Sequence, residues 1–315
     1  MKKIALLGEC MIELNGEPFG QMRQTYGGDT LNTATYLARV STSEQIQVYY
    51  VSALGTDKLS QGMLAYWQAD GIDTQWVLKD EQRSPGLYLI QLDEQGERTF
   101  LYWRNQSAAR YLLQHPNFPQ VLSELDSVDM IYLSGISLAI LPENDRKLLI
   151  TYLVKLKQAG VEIAFDSNFR PKLWESVEQA QSCYQALLPL VDVALVTFDD
   201  EAMLWQDTDE QQTIMRLSAY GIPKIIVKQG SRGAVVCEHQ QQTFVPTQPV
   251  EQVVDTTSAG DSFNAGFLAG YLQGKPLEVC CRQGNQLAGI VIQHQGAIIE
   301  KSATAHLFAE FNAMS

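Results

Sequence analysis

Positive charge is scarce in this 315-residue chain: 23 Lys and Arg stand against 36 Asp and Glu, a formal net charge of −13. Nucleic acid and anionic membranes both require a basic face, so neither is expected as a partner. Cysteine is sparse as well. Cys10, Cys183, Cys237, Cys280 and Cys281 form no CxxC pair and no regular framework. An odd count with one adjacent pair points to reduced thiols, hence to a cytoplasmic protein. The longest apolar stretches, such as Met130 to Leu141, fall short of the roughly 20 residues of a membrane span. Met1-Lys2-Lys3 leads straight into Ile4-Ala5-Leu6-Leu7, too short for the apolar core of a secretion signal. No repeat, low-complexity tract or Pro/Ser-rich linker divides the chain. Neither G-x-x-x-x-G-K-[ST] nor a strand-linked G-x-G-x-x-G occurs, which argues against P-loop and Rossmann sites.

Hydrophobic residues make up 45% of the chain, enough for a full core. Short apolar strands are expected at 4–7, 48–53, 130–133, 161–165, 193–196 and 225–227. Amphipathic helices are expected between them at 30–39, 62–69, 145–158, 176–188 and 210–219, with a late helix at 277–293. This alternation predicts an α/β fold with a mainly parallel sheet covered on both faces. Ligands bind such sheets outside the carboxyl ends of the strands. Residues 86–92 and 97–104 break the alternation and read as an antiparallel hairpin turning through Asp93-Glu94-Gln95-Gly96. With the extended stretch Met11 to Tyr26 they predict a small projecting sheet, a lid drawn from about 11–26 and 86–105. Its free edge invites pairing with another chain, so a homo-oligomer through the lid is expected.

Residues 253–274, VVDTTSAGDSFNAGFLAGYLQG, organise the rest. Asp255 follows Val253-Val254, and the small residues Thr256 to Gly260 make a turn. From Asp261 the spacing becomes helical, with Phe263, Phe267 and Tyr271 on one side and Gly266 and Gly270 permitting close packing. A helix opening this way aims unpaired N–H groups outward at the positive end of its macrodipole, where phosphate binds. Asp261 would then reach a hydroxyl beside that phosphate. An ordinary capped helix start uses the same residue types.

Gly27-Gly28-Asp29-Thr30-Leu31-Asn32 puts a tight turn before another helix, with Asp29 and Asn32 on its first turn. Tyr102 and Arg104 lie two apart on a strand and share a face, which Tyr88 could join. A guanidinium among phenols suits a carboxylate. Asp166-Ser167-Asn168-Phe169-Arg170 follows a strand, so Arg170 could meet a carboxylate, a phosphate or Asp166. Lys228-Gln229-Gly230-Ser231-Arg232-Gly233 reads as a hairpin connection between two strands.

The segment Asp255 to Asp261 resembles the D-T-x-G-A-G-D signature of the ribokinase, or PfkB-type, carbohydrate kinases. Gly27 to Ala34 is similar to the G-G-x-x-x-N-x-A signature of the same family, and the two stand in the expected order. The resemblance implies a ribokinase-like three-layer αβα fold, residues 1–315 forming a single kinase domain, with ATP and Mg2+ as cofactors. It implies Asp261 as catalytic base and Ser258, Ala259 and Gly260 as the anion hole. Gly28, Asp29, Asn32 and Asp255 would contact the sugar. Asn168, Lys228, Gly230 and Gly233 would border the nucleotide, and Asn285 the adenine. Three positions depart from the pattern. Ser258 replaces a glycine, Glu13 stands where the family usually has aspartate, and Phe198-Asp199-Asp200-Glu201 lacks the asparagine of N-x-x-E. Glu201 would therefore hold hydrated magnesium only through water.

Gly27 to Asn32, Tyr102-Trp103-Arg104 and Asp166 to Arg170 resemble the 2-keto-3-deoxygluconate kinase branch. The expectation is ATP-dependent phosphorylation of the 6-hydroxyl of this sugar acid, giving 2-keto-3-deoxy-6-phosphogluconate. Tyr88, Tyr102, Arg104 and Arg170 would then hold the carboxylate end. The alternatives are a fructokinase-like kinase for a neutral ketohexose and a catalytically silent sugar sensor on the same fold. Retention of Asp261 beside small anion-hole residues speaks against silence.

Overall fold

Runs of Ile, Val and Leu form strands buried on both faces, an arrangement that needs helices above and below the sheet. A computed structural model of the chain describes residues 1–92 and 98–314. In chain order its strands are β1 (Lys2–Leu7), β2 (Met11–Gly16), β3 (Met22–Gly27), β4 (Ile46–Leu54), β5 (Val77–Lys79), β6 (Leu87–Leu92), β7 (Arg98–Trp103), β8 (Met130–Ser134), β9 (Glu162–Asp166), β10 (Val193–Thr197), β11 (Lys224–Lys228), β12 (Gly233–Glu238) and β13 (Gln241–Pro246). The large sheet has the order β13-β12-β11-β10-β9-β8-β1-β4-β5. It is parallel from β11 to β5, while β12 and β13 add an antiparallel edge.

The helices are α1 (Asp29–Arg39), α2 (Lys58–Ala69), α3 (Phe118–Glu124), α4 (Gly135–Ala139), α5 (Glu143–Gln158), α6 (Val177–Leu187), α7 (Phe198–Trp205), α8 (Glu210–Ala219), α9 (Ala259–Tyr271), α10 (Leu277–Val291) and α11 (Leu307–Ala313). One face of the sheet packs Leu7, Val51, Leu133 and Phe165 against α3 to α8. The other packs Ile4, Leu6, Tyr50 and Tyr132 against α1, α2, α9, α10 and α11. The expected three layers are therefore present.

The lid is present too, in the order β3-β2-β6-β7. Its interior register was not legible in the sequence: β2 lies in the middle, antiparallel to β3 and parallel to β6. The expected turn Asp93 to Gly96, with Glu97, lies outside the described residues. Helix α2 begins four residues before the expected start because Asp57 caps it, accepting from the Ser60 N–H at 2.9 Å. Ser176 proves to be the cap of α6 rather than its first residue. Helices α3, α4, α7 and α11 were not expected; α4 spans only five residues, too few for a period to show.

Helix α9 can lie close against α10 only because Gly266 lacks a side chain. A Cβ there would sit 2.7 Å from the Gln283 carbonyl oxygen. This contact fixes the axis of α9, and with it the direction in which its N-terminus points.

Candidate active site

The carboxyl ends of the parallel strands and the N-termini of two helices converge on one cleft. Asp261 sits on the first turn of α9 and Asn32 on the first turn of α1. The Asn32 Nδ2 donates to Asp261 Oδ2 at 2.8 Å, and the Thr33 hydroxyl donates to the Asp261 carbonyl at 3.2 Å. Asn32, expected to face the sugar, thus orients the carboxylate of α9. Burial raises the Asp261 carboxyl to about 7; the negative charge of Asp29 adds to the rise, and the Asn32 hydrogen bond opposes it. Such a carboxylate is matched to accept a proton near neutral pH.

Asp29 is raised as well, by burial first, while the Ser134 hydroxyl and the Asn168 amide hold it down. Asn168 Nδ2 donates to Asp29 Oδ2 at 2.7 Å, so this residue, expected to border the nucleotide, sits beside Asp29 instead. Gly28 precedes α1 with its backbone against the chain after β1. A Cβ on Gly28 would lie 2.1 Å from the Glu9 carbonyl oxygen, so no other residue fits there.

Ser258 caps α9 with φ 66°, a left-handed backbone. That conformation explains why the signature carries glycine at this position, and a serine there costs about 1–2 kcal/mol. Gly260 is a different case. A Cβ on it would meet only the Lys228 ammonium, at 3.6 Å, an ordinary contact. Neither strain nor packing calls for glycine there, so the space is open for a ligand. Gly260→Ala should keep or raise the melting temperature, since alanine is the better helix former by about 1 kcal/mol. The same methyl would fill the space where the resemblance places a phosphoryl group, and on that expectation should lower kcat about 10²-fold. A variant with unaltered kcat would mean that nothing is bound at this point.

Lys228, at the end of β11, reaches over the end of β10 to Asp166, at the end of β9. Its Nζ lies 3.1 Å from Asp166 Oδ2 and 3.0 Å from Asn264 Oδ1. Asn264 in turn donates to Asp166 at 2.7 Å and to the Tyr132 hydroxyl at 3.0 Å. All four are buried. This network, with its ammonium directly under Gly260, was not legible in the sequence beyond Lys228 itself. The signal that could have found Asn264 is its spacing, three residues after Asp261 on the same helical face.

Beyond Lys228 lies a cavity of about 360 Å³, lined by Thr197, Gly230, Gly233, Pro249, Val250, Ala259, Gly260, Phe263, Asn285 and Ile292 among others. Lys228, Gly230, Gly233 and Asn285 therefore share one mostly apolar pocket that opens on the α9 terminus. Asn168 is not among its lining residues.

On the lid side, Arg104 follows β7 and forms a buried ion pair with Glu9. Its Nε donates to Glu9 Oε2 at 2.9 Å, and its Nη2 donates to the same oxygen. The sequence reading missed Glu9. Arg170 is half-exposed and pairs with Asp200 at 3.2 Å, not with Asp166. Burial raises the Tyr102 hydroxyl, and the charges of Arg104 and Arg170 both lower it, so one ring lies within the field of both guanidiniums. The Tyr88 ring lies tilted at 38° to that of Tyr102, with centroids 6.0 Å apart, and its hydroxyl donates to Glu13. Asp255 accepts from the N–H groups of Thr257 and Gly296, at 2.9 and 2.8 Å, and so braces the turn before α9.

Glu201, expected to serve magnesium through water, is buried and bonded to Arg216 at 2.6 Å, which also holds Asp207. The neighbouring Asp200 faces the cleft instead. Burial lifts its carboxyl to about 6, with Arg170 opposing. Among the described residues no three His, Cys, Asp or Glu side chains are grouped to hold a metal by themselves.

Over residues 1–304 the chain matches the profile described as pfkB family carbohydrate kinase. A 2-dehydro-3-deoxygluconokinase from Haemophilus influenzae is 67% identical over 314 residues, covering 99% of this chain and 100% of that one. The protein of the same name from Escherichia coli K12 is 43% identical over 305 residues, covering 96% and 98%. Among solved structures, a putative ribokinase II from E. coli in complex with ATP and Mg2+ superposes with a TM-score of 0.83. It is 20% identical and covers 99% of both chains.

Proposed function

The chain belongs to the pfkB family of carbohydrate kinases, and from that premise we propose that it phosphorylates the 6-hydroxyl of 2-keto-3-deoxygluconate with ATP. The product is 2-keto-3-deoxy-6-phosphogluconate. The observation that carries the reading is the raised carboxyl of Asp261, held by Asn32 at the mouth of α9, beside a pocket of nucleotide size. It is joined by full-length identity to proteins named for this reaction.

In the proposed mechanism the nucleotide lies in the pocket of Gly230, Gly233 and Asn285, its terminal phosphate against the N–H groups of Ser258 to Gly260. Asp261 accepts the proton of the sugar 6-hydroxyl as that oxygen bonds to the terminal phosphorus and the bond to ADP breaks. Charge on the transferring group is met by the α9 dipole and by the Lys228 ammonium. Phosphoryl transfer rests chiefly on such positioning and charge stabilisation. Asp29 and Asn168 hold the polyol, and Arg104 and Arg170 face the carboxylate.

Magnesium binds proteins through few carboxylates and keeps several waters. Asp200 fits that role better than Glu201, because its pair with Arg170 is partly exposed whereas Glu201 is fully buried against Arg216. When bound with the nucleotide, the ion offsets phosphate charge; Asp200 would reach it through water.

The exposed lid residues Leu101 and Trp103, at 42% and 57%, would be covered by a second copy pairing across this sheet. ADP release measured with ATP, Mg2+ and a panel of sugar acids and neutral sugars tests the substrate. The expected result is a kcat/KM for 2-keto-3-deoxygluconate far above that for fructose. Equal turnover of both would overturn the reading.

A further inference from the structure

Two facts about Glu9 fit no structural purpose. Its side chain is 1% exposed, and only one of its oxygens is used, for Arg104. The other, Oε1, is buried without a hydrogen-bond partner, 2.9 Å from where a Cβ on Gly86 would stand. A buried ion pair with one oxygen unmet stabilises little, and apolar residues of the same volume would do as well or better. Something other than stability fits this carboxylate.

A guanidinium has a side edge, Nε with one Nη, and an end edge, formed by its two Nη groups. Glu9 takes the side edge of Arg104, and the end edge makes no hydrogen bond among the described residues. Glu9 lies just beyond β1 of the large sheet and Arg104 just beyond β7 of the lid. The pair therefore fixes a lid side chain against the sheet that carries the cleft. Tyr102, 5.8 Å from the guanidinium, closes another side.

We infer that Glu9 is a positioning residue for acid specificity. It locks the side edge of Arg104 so that the end edge alone is presented to the substrate carboxylate, in the bidentate geometry that carboxylates favour. The inference rests on the proposed sugar-acid reading. Without Glu9 at this length, the guanidinium swings towards the sheet and the carboxylate loses one of its two bonds.

Glu9→Asp keeps the charge and the fold while drawing the anchor back by one methylene. Arg104→Lys keeps a cation for Glu9 and removes the fork. Glu9→Asp should raise KM for 2-keto-3-deoxygluconate about tenfold, the worth of one charged hydrogen bond, with kcat nearly unchanged, and Arg104→Lys should raise it at least as much. The double variant should show no further rise over Arg104→Lys, because Glu9 acts only through that fork. Additive KM effects, or equal rises for acid and neutral sugars, would overturn the inference, as would a wild-type KM for Glu9→Asp. Melting curves of each variant separate loss of fold from loss of recognition. If the unaltered enzyme itself shows no preference for sugar acids, the substrate reading has failed, a result visible before any variant is made.

Discussion

Asp261→Asn should lower kcat by about 10²–10⁴-fold, the contribution of a general base, while KM for the sugar stays near that of the unaltered enzyme. Asparagine is nearly the same shape, and its amide oxygen can still accept from Asn32 Nδ2, so the α1–α9 junction persists. What disappears is the proton acceptor. A variant turning over at the full rate would remove Asp261 from the mechanism.

The raised carboxyl gives the same position a pH signature. In the free enzyme kcat/KM should climb with pH and level off above about 7, as Asp261 ionises. Stability should move the other way. A carboxyl raised in the folded state relative to its ordinary value near 4 contributes most below that value. The contribution is lost as pH rises through the folded value of about 7. Asp261→Asn never acquires the charge. Its melting temperature should therefore exceed that of the unaltered protein above pH 7, and the difference should shrink as pH falls towards 4. Melting curves across that range check the sign. A carboxylate kept at the cost of stability is what a catalytic group should look like.

Removing the buried Lys228 charge should have an effect of the same order. Lys228→Met alone would leave Asp166 buried and unpaired, at a cost of about 3–5 kcal/mol, and would confuse folding with catalysis. The double variant Lys228→Met with Asp166→Asn removes both charges and keeps Asn264 a partner for its amide. We expect it to fold, and to lose about 10²–10³-fold in kcat, the worth of one preorganised electrostatic group. Nucleotide affinity should fall less, because the pocket wall is mostly apolar and unchanged. A folded double variant with normal kcat would show that Lys228 serves the core and not the transferring phosphate.

Much of this was legible in the sequence because its signals are local. Alternation of apolar strands and amphipathic helices gave the layers, and the small residues from Thr256 to Gly260 gave the opening of α9. The hairpin from Lys228 to Gly233 and the lid strands followed from turn residues and period-two patterning. Boundaries were less legible, as at α2, where the capping role of Asp57 is invisible until its partner Ser60 folds back.

Sequence by itself determined the alternation of strands and longer helices and the turn that opens α9, since side-chain periodicity and backbone conformation are properties of neighbouring residues. Only the tertiary structure decided who meets whom. Arg104 meets Glu9 across 95 residues, Lys228 meets Asp166 across 62, and Asn32 meets Asp261 across 229. Glu201 turns away to Arg216 and leaves Asp200 to face the cleft. These pairings depend on strand order and helix packing. In such a buried place each charge must find a partner, and a linear pattern carries no record of which partner the crossovers deliver.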